Sequence, residues 1–212
     1  MEVKVPYEVM SADEHERLVA LYGPLTDDVR ELIDAALRTE AEQDSIDAAR
    51  TAIQAATDAL RSRQRDESQV VHFAVGGRPV VWSNAVIGLR NAIAPPLTIH
   101  HDNDGTRCWS DFTLNGAYEG PPGLVHGGVC ALVLDHILGE AASEGLTKPL
   151  FTGTITVRYV RGTPLGRLRA DAAVERTEGF KSFVSGHLSD AEGITAEAEG
   201  IFIQPAWARE VG

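Results

Sequence analysis

Between Val129 and Leu138 the chain reads Val-Cys-Ala-Leu-Val-Leu-Asp-His-Ile-Leu, so Asp135 and His136 are its only polar side chains there. A helix apolar around most of its circumference is buried, and a lone carboxylate inside it needs partner groups or a raised pKa, which makes it a candidate general base. Directly upstream, His126-Gly127-Gly128 opens the same segment. Glycines at a helix start leave unpaired N–H groups unobstructed at the positive end of the dipole, ready for a carbonyl oxygen that gains negative charge. Helical periodicity alone reads Asp135 equally well as a carboxylate tied to a strand hydroxyl or an arginine. Spacing adds a constraint. Gly127 and Asp135 lie roughly 12 Å apart along a helix at 1.5 Å per residue, too far to act on one carbonyl. If both act, they come from different chains, and an antiparallel pair of such helices builds two equal sites at a symmetric interface.

The elements that must position these groups are legible on either side. Helical spacing gathers Gly128, Ala131, Leu132, Asp135 and Gly139 on one face, small enough for a backbone or slender ligand to approach. The helix itself should run from about His126 to Ser143. Before it, Leu97 to His101 and Arg107 to Leu114 read as strands around the turn signal Asp102-Asn103-Asp104-Gly105, followed by a Gly/Pro-rich loop from Gly116 to Gly123. After Pro149, four alternating runs read as strands: around Thr154 to Tyr159, Arg167 to Ala172, Lys181 to Ser189 and Ile194 to Gln204. Two strands, a helix and four more strands make an α+β unit in which one antiparallel sheet covers one helix.

Residues 1 to 67 carry 16 of the 31 acids and 8 of the 19 bases, so most of the net charge of −12 sits in under a third of the 212 residues. Such a balance disfavours nucleic acid, which draws on clustered Lys and Arg. Residues 13 to about 67 read as helix, with Thr26 capping a segment opened by Asp27 and Asp28. Ile46, Ala49, Ile53, Ala56 and Leu60 form a short a/d stripe suited to packing. Residues 70 to 96 form a loop-rich connector with Gly76-Gly77 as a turn. The expected organisation is an acidic helical extension over 1–69, the connector over 70–96 and a catalytic unit over 97–212.

Gly120-Pro121-Pro122-Gly123-Leu124-Val125-His126-Gly127-Gly128, with Asp135 nine positions after His126, resembles the hotdog-fold acyl-CoA thioesterases of the PaaI-like branch. The string from Gly116 to Gly123 is most similar to the THEM-type members. The resemblance runs from about Leu97 to Gln204 and implies an antiparallel sheet wrapped around a central helix, here with an N-terminal helical extension. It further implies hydrolysis of coenzyme A thioesters at the interface of a homodimer or tetramer. By that resemblance the Gly127 N–H meets the thioester carbonyl, His126 shapes the turn, Asp135 activates water or attacks, and Thr152 assists. Gly128, Lys181 and Arg161 fall on substrate-binding positions. Phe180 stands where the family often has Arg, Gly120 where some relatives have Asn, and Arg161-Gly162-Thr163-Pro164 replaces the usual Arg-Pro turn.

Other chemistries find little support. His100 and His101 are adjacent on a strand, so they face opposite sides and no metal site is expected. His136 lies about 100° from Asp135 around a helix, against a dyad, and His72 and His187 read as packing or surface residues. No G-x-S-x-G elbow or glycine-rich nucleotide loop occurs. Cys108 and Cys130 have no zinc spacing and read as buried free thiols. No cofactor is expected beyond the coenzyme A of the substrate. With no membrane span or signal peptide in the sequence, a cytoplasmic enzyme of fatty acid metabolism is the reading. The alternative is a non-catalytic acyl-CoA-binding or regulatory protein that uses its N-terminal helices as an interaction surface. Hydratase chemistry lacks a suitably spaced His-plus-acid pair.

Overall fold

A computed structural model describes residues 7–64 and 72–209, with Tyr7 and His72 described by backbone alone. Two helices come first: α1, Ala12–Arg38, and α2, Gln43–Arg61. Ser11 caps α1, its hydroxyl accepting the Glu14 N–H at 3.2 Å, with Asp13 and Glu14 in the positive first turn. The expected helix start at Thr26 is wrong. Helix α1 continues through Pro24, and Thr26 lies inside it, buried, its hydroxyl donating to the Tyr22 carbonyl at 3.0 Å. Proline forfeits one backbone donor there but has a helical φ, so the flanking turns carry the helix across. The helix expected to reach about residue 67 stops at Arg61, and residues 65–71 lie outside the described set.

The connector is more ordered than its composition suggests. Strands β2 (His72–Val75) and β3 (Arg78–Val80) form a hairpin around Gly76-Gly77, and β1 (Tyr7–Val9) adds in parallel to β2. Trp82 follows and stacks on His15 of α1 at 6.2 Å between centroids, while Arg90 lies 3.7 Å over the Tyr22 ring. Arg30 of α1 donates to the carbonyls of Asn91 and Ala94, each at 3.4 Å. Extension and connector therefore pack on each other.

The second sheet has six strands in the order β4-β5-β7-β8-β9-β6, all neighbours antiparallel. They are β4 (His100–His101), β5 (Arg107–Leu114), β6 (Phe151–Tyr159), β7 (Gly166–Glu178), β8 (Lys181–Asp190) and β9 (Gly193–Ile203). The long helix α3, Gly127–Ala142, lies across it, and a short turn of helix, α4 (Ala206–Arg209), ends the described chain. Val133, Leu134, Ile137 and Leu138 of α3 are fully buried against Leu168, Ala170, Val184, Leu188, Ala198 and Phe202 of the strands. Each large aliphatic side chain so buried contributes about 1.5–3 kcal/mol. Gly186 and Gly200 let the helix sit close, since a Cβ at either would lie 3.0 Å from a Leu138 methyl. This is the α+β arrangement expected from the strand and helix order, and it matches the hotdog fold that the family resemblance implies.

One face of α3 escapes burial in the single chain. Gly128 is exposed, Leu132 is 39% exposed, and Asp135 is only half-buried. The ten-residue apolar run suggested burial all round; the sheet covers one side only.

Candidate active site

The loop before α3 is held in place by its own backbone. Gly120 donates its N–H to the Leu124 carbonyl (2.9 Å), His126 to that of Tyr118 (2.9 Å) and Val125 to that of Thr163 (2.8 Å). Gly120 has no substitute: a Cβ there would lie 2.7 Å from the His126 Cα, inside contact distance of backbone. His126 is the N-cap of α3, with extended ψ of 132°, and its Nδ1 accepts the Gly128 N–H at 3.0 Å. That bond assigns the ring proton of the neutral imidazole to Nε2. It also consumes the Gly128 donor and leaves the Gly127 N–H without a partner among the described residues. An unpaired N–H at a positive helix end is what a developing oxyanion needs.

Strand β6 runs beside α3 and touches it at both ends of the candidate segment. The Tyr159 hydroxyl donates to the Gly127 carbonyl at 2.8 Å, and the Thr152 hydroxyl donates to the Asp135 carboxylate at 2.9 Å. A β-bulge aims Thr152. The register with β9 shifts between Thr152 and Thr154, so Gly153 is extra, and Thr152 falls in the row of Phe202 and Ser182, on the helix side of the sheet. Thus Asp135 is tied to a strand hydroxyl, and the same hydroxyl is the one expected to assist it.

The other expected positions separate from this core. Lys181 begins β8, with its ammonium 5.8 Å over the Phe180 ring, in a row with Ile203 and Phe151 on the opposite sheet face. Arg161 makes a two-pronged contact with Asp190, one arm at 2.9 Å, and also donates to the Gly193 carbonyl at 3.0 Å. The guanidinium holds the Asp190 carboxyl below the usual range and fastens the β8–β9 turn. A groove lined by Arg107, Asp171, Ser185, His187 and Glu197 lies on the outer face of the sheet and contains none of the candidate catalytic groups.

Two features escaped the sequence reading. Tyr159 lies 32 residues from the glycine it contacts, and no local pattern announces such a pair. Glu140, 3% exposed, sits between two imidazoles: His136 Nε2 is 3.3 Å away, misaligned for a hydrogen bond, and His101 Nε2 is 3.5 Å away. The i,i+4 spacing of His136 and Glu140 was the available signal. His136 turns to Glu140 rather than Asp135, and His100 stacks on Trp109 while His101 faces inward, so the two adjacent histidines do point apart. Burial pushes the Cys108 thiol up to about 12, with the Glu140 charge reinforcing it, and burial raises Cys130 as well.

Comparison with known proteins bears on this geometry. The Thioesterase superfamily profile matches residues 122–197, which include the whole of α3, Thr152 and Tyr159. The acyl-coenzyme A thioesterase THEM4 of Xenopus laevis is 37% identical over 89 residues, 41% of this chain and 40% of that protein. The acyl-coenzyme A thioesterase THEM5 of Homo sapiens is 32% identical over 96 residues, 42% of this chain and 37% of that one. The chain thus matches about two fifths of the length of these curated relatives. No helix among the described residues is long and apolar enough to cross a membrane. A solved thioesterase superfamily protein shares 31% identity with a TM-score of 0.76, over 86% of this chain and 90% of that one. A likeness that runs through nearly the full length of a solved member, together with a profile match that contains α3 and β6, makes this chain a member of the thioesterase superfamily.

Proposed function

We propose that the chain hydrolyses acyl-coenzyme A thioesters to the free acid and coenzyme A, at sites each built from two copies. The observation that carries this reading is the unpaired Gly127 N–H at the helix start together with an Asp135 carboxylate held by Thr152. The names of the THEM4 and THEM5 relatives support the substrate class.

The thioester oxygen accepts the Gly127 N–H of one chain. Asp135 of the other takes a proton from water as the water oxygen attacks the carbonyl carbon, or the carboxylate attacks directly and water later cleaves the anhydride. In the first route the C–S bond breaks as the proton held by the carboxyl passes to the departing thiolate; in the second the thiolate leaves as the anhydride forms and gains the proton that hydrolysis of the anhydride releases. Either route consumes one water, and neither requires a metal or a further cofactor. Thr152 donates to the carboxylate and so fixes which oxygen faces the substrate.

Pairing is supported by what a single copy leaves open. Edge strand β6 presents an unpaired ladder of N–H and C=O groups, beside Leu132, Phe151 (58% exposed) and Tyr159 (52% exposed). Two buried free thiols suit a reducing cytoplasm, and fatty acyl thioesters are the metabolic class we assign.

Thiol release from acyl-CoAs of several chain lengths tests the proposal. Asp135→Asn should lower kcat by on the order of 10²–10⁴-fold while the thioester still binds. Undiminished hydrolysis in that variant would overturn the assignment. Tight acyl-CoA binding by the native chain without thiol release would favour the non-catalytic alternative.

A further inference from the structure

Tyr118 has no part in the chemistry assigned above, yet it is held at both ends. Its backbone carbonyl accepts the His126 N–H at 2.9 Å, and its hydroxyl donates to the Ala94 carbonyl at 3.0 Å. The first bond grips the residue whose peptide plane carries the Gly127 N–H. The other side of that plane is fixed from within α3, where Val129 and Cys130 donate to the His126 carbonyl at 2.8 and 3.1 Å. A peptide unit is planar, so holding His126 on both sides sets the direction in which the Gly127 N–H points. Tyr118 supplies the hold that comes from outside the helix.

The hydroxyl bond leads to the N-terminal extension. Ala94 is fully buried and closes a turn with Asn91, donating its N–H to the Asn91 carbonyl at 3.0 Å. Arg30 of α1 donates to both carbonyls of that turn. One helical turn further along α1, Asp34 accepts the side-chain amide of Asn115 at 3.4 Å. Asn115 caps the 3-10 turn Gly116–Tyr118, its side chain accepting the Ala117 N–H at 3.1 Å. The connector is anchored in the core through Val86 and Leu97. Burial pushes the Tyr118 phenol up, against the nearby Arg30 charge, so the hydroxyl stays a donor.

We propose that Tyr118 is a positioning residue for thioester hydrolysis, and that α1 and the connector act on the reaction through it by bracing the turn that aims the Gly127 N–H. The inference rests on the thioesterase reading and gives the N-terminal extension a place in it. A donor lowers the barrier only when it is aimed in advance at the position where charge develops, so a slack turn costs rate even with the donor present.

Tyr118→Phe keeps the backbone carbonyl and the ring, which packs against the core, and removes the hydroxyl alone. Loss of one neutral hydrogen bond should lower kcat about two- to tenfold with KM unchanged. Affinity for an S-alkyl coenzyme A thioether of the substrate's chain length, which has no carbonyl, should also be unchanged. Arg30→Met should lower kcat by a smaller factor. The double variant should fall no further than Tyr118→Phe, because both substitutions act through the Ala94 carbonyl. Native kcat in Tyr118→Phe, a raised KM with kcat intact, weakened thioether binding, or losses that multiply in the double variant would each overturn the proposal. A native chain that releases no thiol overturns the thioesterase reading and this one together, whereas native kcat in Tyr118→Phe beside an inactive Asp135→Asn overturns this one alone.

Discussion

Tyr159 and Thr152 carry the site's least conspicuous chemistry. Neither is the group to which the proposed mechanism gives attack or stabilisation, yet each holds one that is: Tyr159 by donating to the Gly127 carbonyl and Thr152 by donating to Asp135. Tyr159→Phe removes one hydroxyl donor while keeping the ring against Gly127. A neutral bond of this kind is worth about 0.5–1.5 kcal/mol, so kcat should fall roughly two- to tenfold with KM little changed. Thr152→Ala removes a bond to a charged group, worth about 1.5–3 kcal/mol, and should cost roughly ten- to a hundredfold in kcat. Steady-state kinetics on both variants separate these outcomes, and a rise in KM without loss of kcat would reassign either residue to binding. The buried thiol makes a prediction of a different sort. Unfolded cysteine titrates near about 8.5, whereas Cys108 in the fold keeps its proton to about 12. Its contribution to stability is therefore intact below the unfolded value and is lost as pH rises from there toward about 12. Melting temperature should fall more steeply with pH above about 8.5 in the native protein than in Cys108→Ala; parallel curves would refute it.

At the scale of elements, the loop from Asn115 to His126 decides where the helix begins. Gly120→Ala must push a Cβ against the His126 backbone, which no side-chain rotation relieves. Overpacking of this kind costs about 1–3 kcal/mol, and calorimetry should show a lower melting temperature together with a loss of kcat from the displaced Gly127 N–H. A fully active, equally stable variant would show that the loop yields freely. The same elements show what a sequence can and cannot disclose. Helix α3 was legible because an apolar run interrupted by one carboxylate, with two glycines at its head, has few other readings. The sheet followed from alternation in four successive runs, and even the Asp135–Thr152 pair followed once the family likeness named Thr152. Strand β1 was illegible because it has three residues and pairs with a strand some 65 positions on, where no local period exists. The Thr26 cap failed for a physical reason: a hydroxyl followed by two acids marks a helix start only if the preceding turn ends, and Pro24 did not end it. The contact between Tyr159 and Gly127 depends on tertiary geometry alone.

At the scale of the whole molecule, the proposal that each site is shared between two chains predicts behaviour that no single-chain enzyme shows. Gly127 is the first residue of α3, a position where proline is well tolerated, and the extended His126 before it suits a following proline. Gly127→Pro therefore removes the unpaired N–H with little other change, and Asp135→Asn removes the carboxylate function. Each homogeneous variant should be inactive. In a mixed dimer, one site combines the intact Gly127 of one chain with the intact Asp135 of the other, while the second site carries both lesions. Co-expressing the two variants and letting dimers form at random should return about a quarter of native activity, since half the dimers are mixed and half their sites are whole. Purifying the mixed species with two different tags should raise this to about half. A mixture as inactive as its components would mean that Gly127 and Asp135 do not meet across an interface, and the roughly 12 Å that separates them along one helix would then exclude their joint action on a single carbonyl.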